Sequence, residues 1–171
     1  STIYLPAYVD LSATSYTYNG KAKRPAVTVT DANGNTLSRS SYSVSYDRDS
    51  KSAGRHTVKI TLKGNYSGTM KRSYTINPRA TSVSKLSKKS KGFTVKVKKL
   101  SAATATGYQV QYSLNSNFKG AKTKTISGTS LTVKRLKGNK KYYVRVRTYK
   151  KSGSKKYYSS WSGAKTVKTR R

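Results

Sequence analysis

Apolar and polar residues alternate with a period of two in short runs along the chain, and this period restricts the fold more than any other feature. Val27 and Val29 alternate with Thr28 and Thr30, and Val58, Ile60 and Leu62 alternate with Thr57, Lys59, Thr61 and Lys63. Successive side chains of a strand leave on opposite faces, so each run has one dry face and one wet face, as in a half-buried antiparallel strand. Residues 42–46 and 70–76 are further strand candidates. The stretch Asp31-Ala32-Asn33-Gly34-Asn35 predicts a hairpin loop, because Asn-Gly accepts the positive φ that tight turns require.

The same pattern continues beyond Asn77-Pro78, a natural boundary because proline donates no ladder bond and restricts its predecessor. Phe93, Val95 and Val97 alternate with Thr94, Lys96 and Lys98; Tyr108, Val110 and Tyr112 alternate with Gln109 and Gln111; Leu131 and Val133 flank Thr132. Tyr142, Val144 and Val146 alternate with Tyr143, Arg145 and Arg147, and a last strand is expected near residues 161–168. The expectation is an all-β chain of two tandem antiparallel β-sandwiches, residues 1–78 and 79–171, joined by a short linker.

Only 33% of the 171 residues are hydrophobic, so the two cores must be thin and built from β-branched and aromatic side chains. There is no cysteine, which removes disulfides, zinc–thiolate sites and cysteine nucleophiles. No apolar run is long enough to cross a bilayer, and Ser1 opens no signal-peptide pattern, as suits a mature or excised part of a longer protein.

Charge is lopsided. The chain carries 37 Lys and Arg against four acids, Asp10, Asp31, Asp47 and Asp49, for a net charge of +33. All four acids lie before residue 79 together with 11 of the bases, which leaves residues 79–171 with 26 bases and no acid. Such a field concentrates anionic polymers at the surface and makes association depend steeply on salt.

Catalysis is disfavoured by this inventory. A serine–histidine–aspartate site would have to use His56, which opens an alternating strand and is expected to be an exposed structural residue. Asp47 and Asp49 sit two apart in an expected loop, where turn or capping duty outweighs glycoside hydrolysis. Calcium binding at Asp47-Arg48-Asp49 would need further carboxylates, and Arg48 and Lys51 oppose it. An intramolecular isopeptide crosslink needs an acidic partner that residues 79–171 do not contain. Neither a metal nor a cofactor is expected.

The sharpest positive candidate is the outward face of the strand holding Tyr143, Arg145, Arg147 and Tyr149, with Trp161 expected on the neighbouring strand. Interleaved guanidinium and aromatic groups can stack as a cation–π ladder, either covering a thin core or presenting a platform for an anionic or sugar ligand. Lys140, Lys141, Lys155 and Lys156 flank it and complete the candidate binding set. Further lysine clusters, at 85–91, 96–99, 119–124, 134–141, 150–156 and 165–171, would clothe most of the second domain, as edge protection or as a functional basic surface.

The second half resembles a fibronectin type III domain over roughly residues 80–169. The resemblance rests on Leu136-Lys137-Gly138-Asn139-Lys140-Lys141-Tyr142 followed by Val144-Arg145-Val146, on Gly107-Tyr108-Gln109-Val110-Gln111-Tyr112-Ser113, and on Tyr157-Tyr158-Ser159-Ser160-Trp161-Ser162. It implies that the Tyr142 hydroxyl ties back to nearby backbone at the corner leading into its strand. The usual core tryptophan of the second strand is missing, and Val97 stands in its place. The first half, over about residues 10–77, resembles an Ig-like repeat of Gram-positive surface proteins, on the segments 16–25, 31–37, 42–46 and 64–69.

These resemblances imply modules of long extracellular proteins that act as spacers, adhesion elements or carriers of other domains. With the charge, the expectation is a monomeric, non-catalytic extracellular module, associated with the cell surface or wall and not inserted in a membrane. It would contact anionic polysaccharide or teichoic acid through its second domain. Host glycan is a near variant, nucleic acid would adhere only non-specifically, and the alternative is a purely structural spacer. Lysines outnumber arginines by 20 to 6 in residues 79–171, which suits diffuse attraction better than bidentate readout.

Overall fold

A computed structural model describes residues 7–171; the first six residues of the expected first domain, with the N-terminal expectation at Ser1, lie outside the described residues. The chain divides into two compact units between Ile76 and Asn77, two residues before the boundary that alternation places after Pro78. The described residues form strands joined by loops, with one short 3-10 turn at Arg39–Ser41, so the chain is all-β.

The first unit contains β1 (Ala7–Leu11), β2 (Ser15–Thr17), β3 (Val27–Asp31), β4 (Tyr42–Tyr46), β5 (Gly54–Leu62) and β6 (Thr69–Asn77). β1 and β3 pair antiparallel with Val9 opposite Val29, and a second sheet runs β2-β6-β5-β4. Val9 and Val29 join Val58, Ile60, Tyr74 and Ile76 in one buried cluster, because each strand sends its alternate residues inward. Each fully buried aliphatic side chain contributes about 1.5–3 kcal/mol. Two tyrosines hold the strandless segment before β3: Tyr74 donates to the Lys23 carbonyl at 2.6 Å and Tyr46 to that of Pro25 at 2.6 Å. The Asp31 loop is a hairpin, with Thr30 bridged to Thr36, Gly34 at φ 81° and Asp31 Oδ1 accepting the Asn33 and Asn35 amides at 2.9 Å each.

The second unit contains β7 (Val83–Lys89), β8 (Gly92–Val97), β9 (Gly107–Ser113), β10 (Lys122–Ile126), β11 (Ser130–Val133), β12 (Lys141–Ser152), β13 (Lys155–Tyr158) and β14 (Lys165–Lys168). One sheet runs β11-β8-β7; the other runs β10-β9-β12-β13, with β14 also on β12. Phe93, Val95 and Val97 of the first sheet meet Tyr108, Val110, Tyr112, Tyr142, Val144 and Val146 of the second, so Val97 packs in the core where a tryptophan is usual. The tyrosine corner is present: the Lys137 amide donates to the Tyr142 hydroxyl at 3.2 Å.

The C-terminal strand is shorter than alternation predicts. Only Lys165–Lys168 pair as β14, and Trp161 lies in an extended segment off the strands. Serine chemistry explains it. Ser159 and Ser162 donate their amides to the Thr148 and Val146 carbonyls, but the return bonds, from the Thr148 and Val146 amides, go to the two serine hydroxyls at 2.9 Å each. Side-chain acceptors replace the carbonyls a ladder would use, and the segment leaves the regular strand geometry.

Candidate functional site

The candidate face is built by β12 register. Tyr142, Val144 and Val146 point into the core, which turns Tyr143, Arg145 and Arg147 to the opposite side. Arg145 stands opposite Gln111 and Arg147 opposite Gln109 on β9, while Gln111 and Gln109 stand opposite Thr123 and Thr125 on β10. Each row is hydrogen-bonded across three strands. Arg145 Nε donates to Gln111 Oε1 at 2.7 Å, and Gln111 Nε2 to Thr123 Oγ1 at 3.2 Å. Arg147 Nε donates to Gln109 Oε1 at 2.8 Å, and Gln109 Nε2 to Thr125 Oγ1 at 3.1 Å.

Aromatic rings interleave with the two guanidiniums. From one end to the other, the Arg145 Cζ lies 3.9 Å from the Phe118 ring centroid and 4.8 Å from that of Trp161, and the Arg147 Cζ lies 4.4 Å from Trp161 and 3.9 Å from Tyr158. A cation over an aromatic face contributes about 0.5–2 kcal/mol, so the stack ties the loop before β10, β12, β13 and the segment after it into one layer. Burial lowers the pKa of both guanidiniums; at Arg147 the neighbouring Arg145 lowers it further and Tyr158 opposes the shift. Both remain charged at neutral pH because guanidinium starts so far above it.

The stack includes two members that alternation does not reveal. Phe118 is 9% exposed in the loop between β9 and β10 and takes φ 60°, a costly conformation for a bulky residue, so it carries no periodic signal. Tyr158 stands three residues before Trp161, an odd spacing that gives no period-two signal for a shared face. Tyr149 differs from expectation in the other direction. It is 8% exposed, lies beneath Lys156 Nζ at 4.8 Å, and packs its hydroxyl against Gly107, where a Cβ would come within 2.7 Å. It is therefore largely buried, with Lys156 covering its ring.

The flanking lysines make separate contacts. Lys141 Nζ lies 5.2 Å from the Tyr143 ring centroid and Lys155 Nζ 5.4 Å from that of Tyr157. Lys140 is held through its backbone, by the Thr169 hydroxyl on its amide at 3.1 Å and the Thr169 amide on its carbonyl at 2.9 Å. The structure thus joins Arg145, Arg147 and Trp161 in one stack, places Lys156 on Tyr149, and leaves Lys140, Lys141 and Lys155 outside it.

His56 is buried, at 6% exposure, and not exposed as its position at the start of an alternating run suggests. It shares the parity of Val58, Ile60 and Leu62, so β5 turns it inward. Its ring stacks on Tyr74 at 5.4 Å, Nε2 meets the Ser52 carbonyl at 2.7 Å, and Nδ1 faces Asp47 Oδ2 at 3.3 Å without hydrogen-bond geometry. Asp47 Oδ2 also accepts the Thr57 amide at 3.0 Å. Both imidazole nitrogens are turned into the fold. Asp49 Oδ1 accepts the Lys51 and Ser52 amides at 2.9 and 3.1 Å. Hydrogen bonds from the Ser52 side chain and these amides hold its pKa down at about 2. Both aspartates serve backbone amides.

A family model for a bacterial Ig-like domain, group 3, matches residues 21–97, running from the first unit into β7 and β8. Among solved structures, the chain is similar to the FN1–FN3 domains of chicken CNTN1, at 15% identity over 95% of this chain and 66% of that one, with a TM-score of 0.50. It also aligns with a set of titin domains, at 16% identity over 98% of this chain and 67% of that one, with a TM-score of 0.44. The chain therefore spans about two thirds of each. The first likeness shows a fold of the Ig and fibronectin type III kind. No curated protein sequence matches.

Proposed function

We propose that this chain is a non-catalytic module of a bacterial surface or secreted protein, and that its second unit holds an anionic polymer of the cell wall, teichoic acid or a similar glycopolymer. The observation that carries this reading is the charge: 26 bases and no acid in residues 79–171. Solubility alone does not call for the removal of every acid. Arg145 and Arg147 are engaged in the stack, so only Arg79, Arg135, Arg170 and Arg171 remain beside 20 lysines. Diffuse point-charge attraction follows from that ratio better than bidentate recognition of one group. The match to a bacterial Ig-like family model over residues 21–97 supports an extracellular or surface-associated setting.

A spacer that positions a neighbouring domain is the second reading. It is favoured by the stack itself, whose arginines are occupied by Gln109, Gln111 and four ring contacts and so strengthen the sandwich. Retention on immobilised teichoic acid, heparin and DNA over a salt gradient separates the two. The polymer-binding reading expects retention at low ionic strength and release as salt rises; a chain that elutes from all three at about 50 mM salt is a spacer.

A further inference from the structure

The side of the second unit where the two sheets end carries a built groove. β10 is the last strand of one sheet and β11 the last strand of the other. Cross-strand partners share a face, and Lys122 and Lys124 of β10 stand opposite Tyr112 and Val110, two buried core residues. The core-facing positions of this edge strand are therefore lysines, and only at Ile126, opposite Tyr108, does an apolar residue resume. Apolar side chains there would close the sandwich. The lysines leave it open, and two adjoining hollows of about 320 and 290 Å³ lie between β10 and the connection from β11 to β12.

Six cations line these hollows: Lys119, Lys122, Lys124, Lys134, Arg135 and Lys137. No acid of residues 79–171 can neutralise them, so they raise one continuous positive potential. Leu131 and Leu136 also line the groove over Tyr112, which is 5% exposed.

The walls are fixed by hydrogen bonds. On the β11–β12 side, the Leu136 amide donates to the Lys91 carbonyl at 2.9 Å, the Lys137 amide to the Tyr142 hydroxyl at 3.2 Å, and the Thr169 hydroxyl to the Lys137 carbonyl at 2.6 Å. On the β9–β10 side, the Lys119 carbonyl accepts from the Ser113 hydroxyl at 2.8 Å and from Asn115 Nδ2 at 3.1 Å. Arg135 sits between these bonds at φ 60°, left-handed backbone that an arginine adopts at a cost. A strained backbone retained at a cationic residue inside a fixed groove fits a positioning role for its side chain.

Resting on the polymer-binding reading above, we infer that this groove is the seat of the polymer: a linear polyol-phosphate chain whose phosphates pair with Lys122, Lys124 and Arg135 while its backbone lies over Leu131 and Leu136. The lining favours such a chain over single-stranded nucleic acid. Bases bind by stacking on exposed rings, and the one ring type in the groove, from Tyr112 and Tyr142, is buried in the core. Inward-pointing lysines also guard an edge strand against pairing with another chain. That function requires the charges but not the pinned wall or Arg135.

The test compares two triple variants of the full chain with the same loss of charge. Lys122→Thr/Lys124→Thr/Arg135→Asn empties the groove, with asparagine chosen because it tolerates positive φ. Lys85→Thr/Lys96→Thr/Lys98→Thr removes three exposed lysines from β7, β8 and the residue after β8. Binding to purified glycerol-phosphate polymer is measured at about 50 mM salt, with melting curves as a folding control. The groove variant should lose roughly tenfold or more in affinity and flatten the salt slope by about three, while the control variant changes less than about threefold. Equal losses in both variants would overturn the groove but keep the polymer reading. A wild-type chain that binds none of the polymer removes both. Tighter binding of single-stranded DNA than of glycerol-phosphate polymer, lost in the groove variant, overturns the occupant.

Discussion

Arg145 Cζ lies 3.9 Å from the Phe118 ring centroid, and Phe118 holds that position with its backbone at φ 60°. The backbone cost of that conformation, about 1–2 kcal/mol, is of the same order as one good cation–π contact. The stack gains from closing both ends, since Phe118 and Tyr158 cover the outer faces of guanidiniums whose inner faces share Trp161.

The stack joins β12, β13 and the loop before β10 through four ring contacts, so keeping its charge while losing its planar geometry should separate stability from binding. Arg145→Lys/Arg147→Lys leaves the net charge at +33 but cannot stack or reach the glutamines in the same way. We expect a loss of about 2–4 kcal/mol by urea unfolding, with polymer affinity within about threefold of wild type. A large loss of affinity at unchanged stability would instead make the stack a binding platform.

Two glycines mark the closest approaches in the second unit, and they should rank in a definite order. A Cβ on Gly92 would stand 2.2 Å from the Val133 carbonyl oxygen, between paired strands β8 and β11. A Cβ on Gly107 would meet the Ile126 carbonyl oxygen at 2.6 Å and the Tyr149 hydroxyl at 2.7 Å, the latter able to turn aside. Gly92→Ala should cost more than Gly107→Ala, both in the range of about 1–4 kcal/mol. Chemical denaturation of the two variants reads the order directly.

Strands with one buried face were legible because alternation states that face outright. Residues 42–46 are an example, predicted as a strand and observed as β4. β7, β10 and β13 carried no such signal. Each lies at the end of a sheet, where lysines break the alternation of apolar and polar residues, as in Lys122-Thr123-Lys124-Thr125 and Lys155-Lys156-Tyr157-Tyr158. Parity on β12 identified Arg145 and Arg147 as outward, but Phe118 comes from an aperiodic loop and no local rule could place it. The groove was illegible for a related reason: it depends on which strands end the two sheets, and that is decided by pairing between segments distant in sequence. His56 was legible in principle, since counting by twos from Val58 turns it inward.

His56 bridges a loop to the core of the first unit, so its loss should be costly. His56→Ala leaves the Ser52 carbonyl without its partner and opens a cavity against Tyr74, for an expected loss of about 2–4 kcal/mol. Asp47→Asn keeps an oxygen for the Thr57 amide and should cost about 0.5–1.5 kcal/mol. If His56→Ala is the milder of the two, the imidazole is not the bridge described.

Acid and alkaline limits of the first unit should trace to two different residues. Asp49 has its pKa held at about 2 in the folded chain, against 3.8 unperturbed, by bonds from Ser52 and Lys51. Its depressed value means a contribution to stability that is present above about pH 4 and lost as pH falls toward 2. Tyr74 is the opposite case. Burial first, then the nearby Asp47 charge, pushes its phenol from 10.0 up to about 12. The neutral phenol is the form that donates to the Lys23 carbonyl at 2.6 Å, so its contribution is complete below pH 10 and is lost as pH rises from 10 toward 12. Tyr74→Phe should be less stable than wild type at pH 7 by about 0.5–1.5 kcal/mol, the net worth of one hydrogen bond, and should lose less between pH 10 and 11.5. Urea midpoints at pH 7, 10 and 11.5 supply the comparison, and parallel declines in the two proteins would mean that another group sets the alkaline limit.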